Sequence, residues 1–404
     1  MTKPDVGVAP RAPTIGFLFN HEHLHQIAHS APIAFELGRL RPDLTVTLLA
    51  SDPRQLDYLR ELAKDYPGSR LDFRLLTLNP WLAGFRRRLD QIAPFTRLMT
   101  LWAHRKTFAA LDVLVVPEKT SLILRRRFGV KHLKFVHTRH GAGDREVGFD
   151  KSSGEFDLVL ISGPKIRDRL RAAGLLKEDG HAIVGYAKFD LHTRGPRPKL
   201  FDNDRPTVVY NPHFSPRFSS WYAEGLKVLE AFAKSDRYNL IVAPHVMLFR
   251  KQVQVSIDKL SLDTPGDIPD WVRDCPNILV DLGSERSVDM TYVRAADLYL
   301  GDASSQIYEF LHTPRPCLFI NAQRADWQAD SNYRHWTSGP VIENADHILD
   351  DVDDAFASHG DYLDTQRQLF RYSFDLTDEP SARRGANAIL AAAERWIAAE
   401  AAAR

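Results

Sequence analysis

The chain has 404 residues, which is too long for one ordinary hydrophobic core and suits two domains of about 150 to 200 residues each. Hydrophobic residues make up 44% of the chain and charged residues 26%, as in an ordinary globular protein. The 53 basic and 52 acidic residues nearly cancel, which excludes the strong basic excess typical of nucleic-acid-binding proteins. We therefore expect no nucleic-acid partner.

The two cysteines, Cys275 and Cys317, have neither the spacing of a zinc site nor that of a disulfide framework. No apolar run approaches the ~20 residues of a membrane-spanning helix. Residues 1–12 also lack the apolar core of a signal peptide. These features predict a cytoplasmic protein.

A buried strand is predicted at residues 14–19, and a histidine-rich segment follows it directly. His21, His25 and His29 recur every four residues, so one helical face could present them to zinc. The order is not that of a zinc motif, however, and no carboxylate or cysteine follows at ligand spacing. We favour the alternative, a loop at the ligand-binding edge of an open α/β domain, where His21, His23 and His25 line a cleft.

Strands and helices then alternate along the first half, with strands at 44–49, 71–76, 111–116, 133–136 and 158–161. This alternation predicts a parallel sheet covered by helices on both faces. A longer helical region at 81–108 carries an apolar stripe beside Arg86, Arg87 and Arg88. That stripe is typical of a core-facing helix, and the alternative is an in-plane contact with a membrane surface.

Glycine and prolines at 193–199 predict an interdomain linker, after which the alternation restarts with strands at 207–210, 240–243, 278–280, 298–301 and 317–320. We therefore predict two open α/β domains that face each other across a cleft. The first covers residues 1–192 and the second residues 206–380. An alanine-rich helix at 381–404 is expected to pack back on the first domain.

Polar residues follow four of the predicted strands, at the edge where such sheets bind ligands. Ser304 and Ser305 stand where a strand turns into a helix, whose first turn offers unpaired N–H groups and the positive end of its dipole. A phosphate or diphosphate could be held there without a lysine. The alternative is an ordinary serine N-cap.

The chain from about Phe135 to Ala391 resembles the CDP-glycerol glycerophosphotransferases of the teichoic-acid type. That family has the GT-B fold, with two Rossmann-like domains. The residues that carry the resemblance are His140-Gly141, the strand within 154–162, the turn at 185–190, Pro244-His245 and the serine-containing segment at 301–310. Ala142-Gly143 departs from the family's Thr-Pro, and Pro244-His245 reverses its His-Pro order.

The resemblance implies transfer of a glycerophosphoryl group from CDP-glycerol to a hydroxyl of a lipid-linked or glycan acceptor. His140 is the candidate general base, although a histidine in that place can also be bonded to the backbone. His245 is the second candidate catalytic residue, and it would bind the phosphates of the donor. No aspartate pair of the Asp-x-Asp type lies at a strand end, so we expect neither a metal nor a cofactor. The expected donor-binding residues are Gly141, Asn211, Pro244, Asp302, Ser304, Ser305 and Glu309, and the expected acceptor-binding residues are His21, His23, His25 and Arg145.

Two other classes of function remain open at this point. One is a GT-B glycosyltransferase or nucleotide-sugar 2-epimerase that uses a UDP-sugar. The other is a non-catalytic protein that binds carbohydrate or nucleotide. A lipid-linked acceptor would require access to the inner face of the cytoplasmic membrane, and the segment from Trp81 to Trp102 is the candidate contact with an anionic surface.

Overall fold

The computed structural model describes residues 11–21, 24–78, 95–139, 143–144, 150–193, 195–249, 254–256 and 261–402. Contacts divide them into two compact units. The first contains the described residues of 1–140, 148–191 and 374–404. The second contains those of 141–147 and 192–373, so Gly143 and Asp144 belong to it although the predicted first domain extended to residue 192.

The strands of the two units are short and mostly apolar. In chain order they are β1 (Ile15–Phe19), β2 (Val46–Ala50), β3 (Leu71–Leu75), β4 (Val113–Val116), β5 (Lys134–Thr138), β6 (Leu158–Ile161), β7 (His181–Ile183), β8 (Thr207–Asn211), β9 (Asn239–Val242), β10 (Gln254–Ser256), β11 (Ser261–Asp263), β12 (Ile278–Val280), β13 (Leu298–Gly301), β14 (Cys317–Ile320) and β15 (Val341–Ile342).

The helices lie mostly between these strands. In chain order they are α1 (Ala31–Leu40), α2 (Pro53–Ala63), α3 (Phe95–Ala103), α4 (Arg105–Ala109), α5 (Ile123–Arg126), α6 (Pro164–Ala172), α7 (Ala187–His192), α8 (Trp221–Ala233), α9 (Asp270–Arg273), α10 (Thr291–Ala295), α11 (Gln306–Phe310), α12 (Ile348–Ala357), α13 (His359–Ser373) and α14 (Ser381–Ala402). Short 3-10 helices occur at Leu24–His29, Thr120–Leu122, Lys151–Glu155, Glu285–Ser287 and Ser331–Ser338.

The first unit is built on a seven-stranded parallel sheet in the order β3-β2-β1-β4-β5-β6-β7. Strands β1, β4 and β6 of this sheet are apolar along their whole length because helices cover both faces. The edge strand β3 alternates apolar residues with Asp72 and Arg74, as a partly exposed strand should. The chain runs outward from β1 in one direction and then from β4 in the other, so the switch point lies between β1 and β4.

The last helix, α14, packs against α1 in the first unit. Gly385 permits a close approach, since a Cβ atom there would come within 2.9 Å of Ile33 Cδ1. Residues 374–380, predicted for the second domain, also belong to the first unit. Phe374 packs its ring against Tyr186, with centroids 4.8 Å apart, and the Asp375 N–H donates to the Ser162 carbonyl at 2.9 Å.

The second unit has a six-stranded parallel sheet in the order β12-β9-β8-β13-β14-β15. β8 and β13 are neighbours at its centre, and the chain leaves them in opposite directions. The core on one face is formed by residues such as Val208, Tyr210, Leu298, Leu300 and Leu318. The two parallel sheets with intervening helices confirm the predicted α/β class.

The predicted helical region at 81–108 is described only from residue 95 onward, where it forms α3 and α4. Trp102 at the end of α3 leaves 50% of its surface exposed, and the Arg105 guanidinium lies 5.1 Å from the centre of its ring. Among the helices described, none combines the length and the apolar character needed to cross a bilayer.

Candidate functional site

Polar residues lie at the carboxyl ends of β8 and β13, the two central strands of the second sheet. Asn211 at the end of β8 pairs in register with Gly301 at the end of β13, at the switch point where open parallel sheets bind ligands. The buried Asn211 amide donates to the Ala243 carbonyl at 2.5 Å, and its oxygen accepts from the Tyr299 hydroxyl at 3.1 Å. This side chain therefore joins three strand ends, and the predicted role of Asn211 in donor binding stays a prediction.

Asp302 follows β13 and is fully buried. Its carboxylate accepts from the N–H groups of His213 (2.8 Å), Ser220 (2.6 Å) and Ala303 (2.6 Å) and from the Ser220 hydroxyl (2.9 Å). Burial raises the pKa of Asp302 to about 6, against hydrogen bonds that favour the charged form. Because both oxygens already have donors, Asp302 holds the loop after β8 in place, and its predicted contact with substrate hydroxyls stays a prediction.

The two serines after Asp302 differ in exposure. Ser304 is buried, and its Oγ accepts from the Gln306 N–H at 3.4 Å, whereas Ser305 is exposed. The predicted helix at 304–311 begins only at Gln306 and has five residues, which leaves it a short dipole. Gly143 lies beside Ser305, since a Cβ atom on this glycine would come 3.0 Å from the serine Cβ. Of the serine pair, Ser305 is the one that a ligand can reach.

His245 follows β9 beside a second histidine, His213, which follows β8. The Nδ1 of His245 accepts the Met247 N–H at 3.2 Å, and the Nδ1 of His213 accepts the Ser215 N–H at 3.0 Å. In a neutral ring this arrangement leaves the proton on Nε2, so each ring presents an N–H donor. The ring centres lie 5.5 Å apart, and only His245 is partly exposed. His245 is therefore the more accessible of the two histidines.

A buried polar network lies next to the serines. Both carboxylate oxygens of Asp144 accept from the Tyr308 hydroxyl, at 2.6 and 2.7 Å. Oδ2 also contacts the His335 N–H at 3.0 Å and its Nδ1 at 2.9 Å. The Asp302 carbonyl lies 2.8 Å from His335 Nε2 and 3.0 Å from Trp336 Nε1. Since a carbonyl only accepts, His335 Nε2 carries a proton. Burial and the nearby Asp144 carboxylate raise the pKa of Tyr308 well above its usual range, so its hydroxyl stays a donor.

Glu309 lines a cavity of about 260 Å³ in the second unit. Burial, reinforced by Arg197, lowers the pKa of Arg315 to about 10, and burial with Arg315 and Arg294 lowers the pKa of His312. Several cationic groups and one carboxylate therefore share a small polar space, which suits a ligand with anionic and hydroxyl groups. The lining residues are Thr193, Arg197, Met290, Arg294, Glu309, His312, Thr313 and Arg315.

His21 lies at the carboxyl end of β1, at the switch point of the first sheet. It is 5% exposed, its carbonyl accepts from the Gln55 amide, and its ring lies edge-on to Phe19 at 6.4 Å. The adjacent Asn20 amide donates to the Arg97 carbonyl at 3.2 Å. His21 is thus packed into the end of the sheet, and only a small part of its surface is open to an acceptor.

Several predicted site residues lie outside the described residues, namely His23, His140, Gly141 and Arg145. His25 belongs to the 3-10 helix Leu24–His29, and its side chain is not among those described. Pro244 is buried beside His245. Within the described part of the chain, no three His, Cys, Asp or Glu side chains form a group that could hold a metal ion.

Sequence reasoning did not identify Asp144, Tyr308 or His335 as members of the site. Tyr308 has apolar neighbours at helical spacing and reads as a core residue. His335 lies 191 positions from Asp144, and no local pattern connects the two. His213 did carry a signal, because it follows β8 in the same way that His245 follows β9.

Neither a protein-family model nor a curated protein matches the chain. Several solved structures share its fold. A variant of the wall teichoic acid polymerase TagF soaked with CDPG is 13% identical with a TM-score of 0.58, and the match covers 97% of this chain and 90% of that one. The UDP-GlcNAc 2-epimerase of Neisseria meningitidis bound to UDP-GlcNAc is 11% identical with a TM-score of 0.54, covering 95% and 99%. The S. aureus MnaA complex with UDP is 11% identical with a TM-score of 0.55, covering 94% and 96%. These similarities confirm the predicted two-domain α/β fold of the GT-B class.

Proposed function

We propose that the chain is a transferase that moves a glycerophosphoryl group from CDP-glycerol to a hydroxyl of a membrane-associated or glycan acceptor. The observation that carries the proposal is the exposed Ser305 at the switch point of the second sheet, beside Gly143. This is the edge at which open parallel sheets bind nucleotides and phosphates. The fold shared with a polymerase soaked with CDPG supports CDP-glycerol as the donor.

In this reaction the acceptor oxygen attacks the phosphorus that bears glycerol, and the bond from that phosphorus to the bridging oxygen of CMP breaks. Negative charge builds on the departing CMP, so the site needs hydrogen-bond donors that are already in place. We assign this role to the partly exposed ring of His245 and to the Ser305 hydroxyl. The support is that His245 and Ser305 are accessible while their neighbours His213 and Ser304 are buried.

His140 is assigned the proton of the acceptor hydroxyl, which it takes as the new phosphorus–oxygen bond forms. The assignment rests on the sequence: His140 follows β5 and precedes Gly143 by three positions. Glu309 is assigned to hydroxyl groups of the ribose or glycerol, because it lines a cavity with cationic side chains. Gly141 is kept on the donor side. His21, His23, His25 and Arg145 are kept as acceptor-binding residues. We propose no cofactor and no metal.

We further propose a cytoplasmic protein that associates with the inner face of the membrane, where a lipid-linked acceptor would be found. The described part of the candidate membrane contact supports this through Trp102, which is half exposed and is stacked by Arg105. Tryptophan and basic residues together are typical of surfaces that bind the interface of an anionic bilayer.

A second candidate is a glycosyltransferase or 2-epimerase that uses a UDP-sugar. The observation that favours it is the fold shared with the two structures that hold UDP-GlcNAc and UDP. Glycosyl transfer and 2-epimerisation both need a binding site for the diphosphate of the nucleotide, and the same edge of the second sheet would provide it.

Product analysis separates the candidates. The protein is incubated with CDP-glycerol or UDP-GlcNAc, with and without a lipid extract, and the products are analysed by mass spectrometry. Acceptor-dependent release of CMP is expected. Release of UDP, or epimerisation of UDP-GlcNAc without an acceptor, would establish the second candidate. Binding without turnover of either donor would contradict both and leave a nucleotide-binding protein.

A further inference from the structure

We infer that Arg217 is a further donor-binding residue, whose guanidinium binds the diphosphate of the nucleotide donor. The inference rests on the proposed function and deepens it, because it concerns the same edge of the second sheet. The two groups assigned to the phosphates so far, the ring of His245 and the hydroxyl of Ser305, include no permanent positive charge. A diphosphate gains charge on the departing CMP, so a fixed cation would stabilise the reaction beyond what neutral donors provide.

Arg217 supplies such a cation at this edge. The loops that follow β8, β9 and β13 are described over residues 212–220, 243–249 and 302–305, all of them in the second unit. Within those three ranges Arg217 is the only arginine or lysine. Its side chain is exposed. A guanidinium can donate two parallel N–H groups to phosphate oxygens, which suits it to a diphosphate.

Asp302 holds both ends of the loop that carries Arg217. Its carboxylate accepts from the His213 N–H at 2.8 Å, and from the N–H and the hydroxyl of Ser220 at 2.6 and 2.9 Å. Asp302 precedes Ser305 by three positions, so the loop begins and ends beside the chain that leads to this serine. Arg217 is three positions from Ser220, and three residues span at most about 11 Å. The loop therefore keeps Arg217 near the edge that carries Ser305.

The loop is a compact turn around Arg217. The Ser215 carbonyl accepts from the N–H groups of Phe218 and Ser219, both at 2.9 Å. The guanidinium carbon of Arg217 lies over the Phe218 ring, 5.5 Å from its centre. A long side chain that already rests on an aromatic ring loses less conformational freedom when it binds a ligand. The turn and the ring therefore prepare Arg217 for binding.

Aromatic contacts connect this turn to His245. The centre of the His213 ring lies 5.7 Å from that of Phe218 and 5.5 Å from that of His245. The Phe214 ring also packs against His245, with centres 4.8 Å apart. The ring on which Arg217 rests is thus one histidine away from His245. Because these groups share one small part of the edge, Arg217 and His245 can bind phosphates of the same diphosphate.

The test is a calorimetric titration of four proteins with cytidine, CMP and CDP. Wild type, Arg217→Gln, Arg217→Lys and the control Arg237→Gln are compared. Arg237 is exposed in the same unit, and its guanidinium carbon lies 5.7 Å from the centre of the Tyr238 ring. It precedes β9 and so lies at the amino edge of the sheet. The control therefore removes the same charge and the same kind of ring contact at the opposite edge.

Arg217→Gln should weaken CDP binding by about 10- to 100-fold, because it removes charged hydrogen bonds to phosphate. Cytidine has no phosphate, so its affinity should change by less than about twofold. Arg217→Lys should lie between wild type and Arg217→Gln, since lysine keeps the charge and loses the planar pair of donors. Arg237→Gln should bind CDP within about twofold of wild type, as expected for an exposed charge elsewhere. With CDP-glycerol, kcat of Arg217→Gln should fall by at least about tenfold.

Unchanged CDP affinity in Arg217→Gln would overturn the inference. Equal weakening of cytidine and CDP would also overturn it, because the variant would then have disturbed the loop instead of removing a phosphate contact. A wild type that binds CDP but does not release CMP from CDP-glycerol would refute the proposed function alone, and the comparison of CDP with cytidine would still decide the role of Arg217. If the wild type prefers UDP, the same comparison is made with uridine and UDP. A wild type that binds neither diphosphate would overturn both.

Discussion

Gly185 lies directly against the hydroxyl of Ser381, so that a Cβ atom at position 185 would overlap the serine Oγ. Gly185 also has a φ of +81°, which side chains other than glycine rarely adopt. The same serine hydroxyl accepts the Tyr186 N–H at 3.0 Å, and Asp190 Oδ2 accepts the Ala382 N–H at 2.6 Å. The glycine and aspartate of the turn at 185–190 therefore hold the start of α14 in the first unit.

Replacing Gly185 by alanine should destabilise the first unit by about 2 to 4 kcal/mol, because the methyl group adds left-handed strain to a steric overlap. The matched control is Gly174→Ala, at a φ of +65° with no atom within 4 Å of the added methyl group. It carries the strain alone, about 1 to 2 kcal/mol. Urea unfolding of both variants measures the difference. Equal losses for the two would show that the contact with Ser381 has no energetic weight.

The sequence predicted the class of the fold because most strands of both sheets are short apolar runs between turn residues. Runs such as Val113–Val116 and Leu158–Ile161 are buried on both faces, and that state needs no information from elsewhere in the chain. The short strands β7 and β15 escaped prediction. β15 has only two residues and is placed by its pairing with β14, which local sequence does not reveal.

The site was predictable at the level of strand ends and less so at the level of single side chains. Strand ends mark the ligand-binding edge; Asn211 is the last residue of β8, and His245 and Ser305 lie in the loops after β9 and β13. Sequence cannot tell whether a polar group at such an edge faces inward or outward. Asn211 and Asp302 face inward, and their side chains form hydrogen bonds with other groups of the protein. Pairing across 191 positions, as between Asp144 and His335, leaves no local pattern at all.

The two cysteines should differ sharply in reactivity. Burial raises the pKa of the Cys317 thiol to about 12, whereas Cys275 is partly exposed near the Trp271 carbonyl. Since the thiolate is the reactive form, a disulfide reagent at pH 8 should titrate one thiol in the native chain and two in denaturant. The Cys275→Ser variant should show no rapid reaction when native. Rapid reaction of that variant would contradict the burial of Cys317.

Membrane association should depend on the segment that ends at Trp102. Changing Arg86, Arg87 and Arg88 to glutamate should weaken binding to anionic vesicles by at least about 3 kcal/mol, roughly 100-fold, because each basic residue near such a surface contributes about 1 kcal/mol. Trp102→Ala should weaken binding further by removing an exposed aromatic ring. Vesicle sedimentation measures both changes.

The control for this prediction reverses three exposed lysines elsewhere, Lys131, Lys199 and Lys234, which keeps the change in net charge the same. It should reduce binding far less. Equal losses in the two triple variants would point to a general charge effect. Unchanged binding in the arginine variant would show that this segment makes no membrane contact.

The difference in exposure between Ser304 and Ser305 gives the proposed donor site its sharpest test. Ser305→Ala should weaken CMP and CDP-glycerol binding by about 1.5 to 3 kcal/mol, roughly 10- to 100-fold, because it removes a hydrogen bond to a charged oxygen. Ser304→Ala should change the affinity little, since its Oγ is buried and accepts the Gln306 N–H. His245→Ala should weaken affinity as Ser305→Ala does. His140→Ala should instead lower kcat by about 10²- to 10⁴-fold at nearly constant affinity, as expected for a general base. Calorimetric titration beside steady-state rates measures all four variants. Loss of donor affinity in His140→Ala with normal affinity in Ser305→Ala would show that the donor phosphates lie elsewhere.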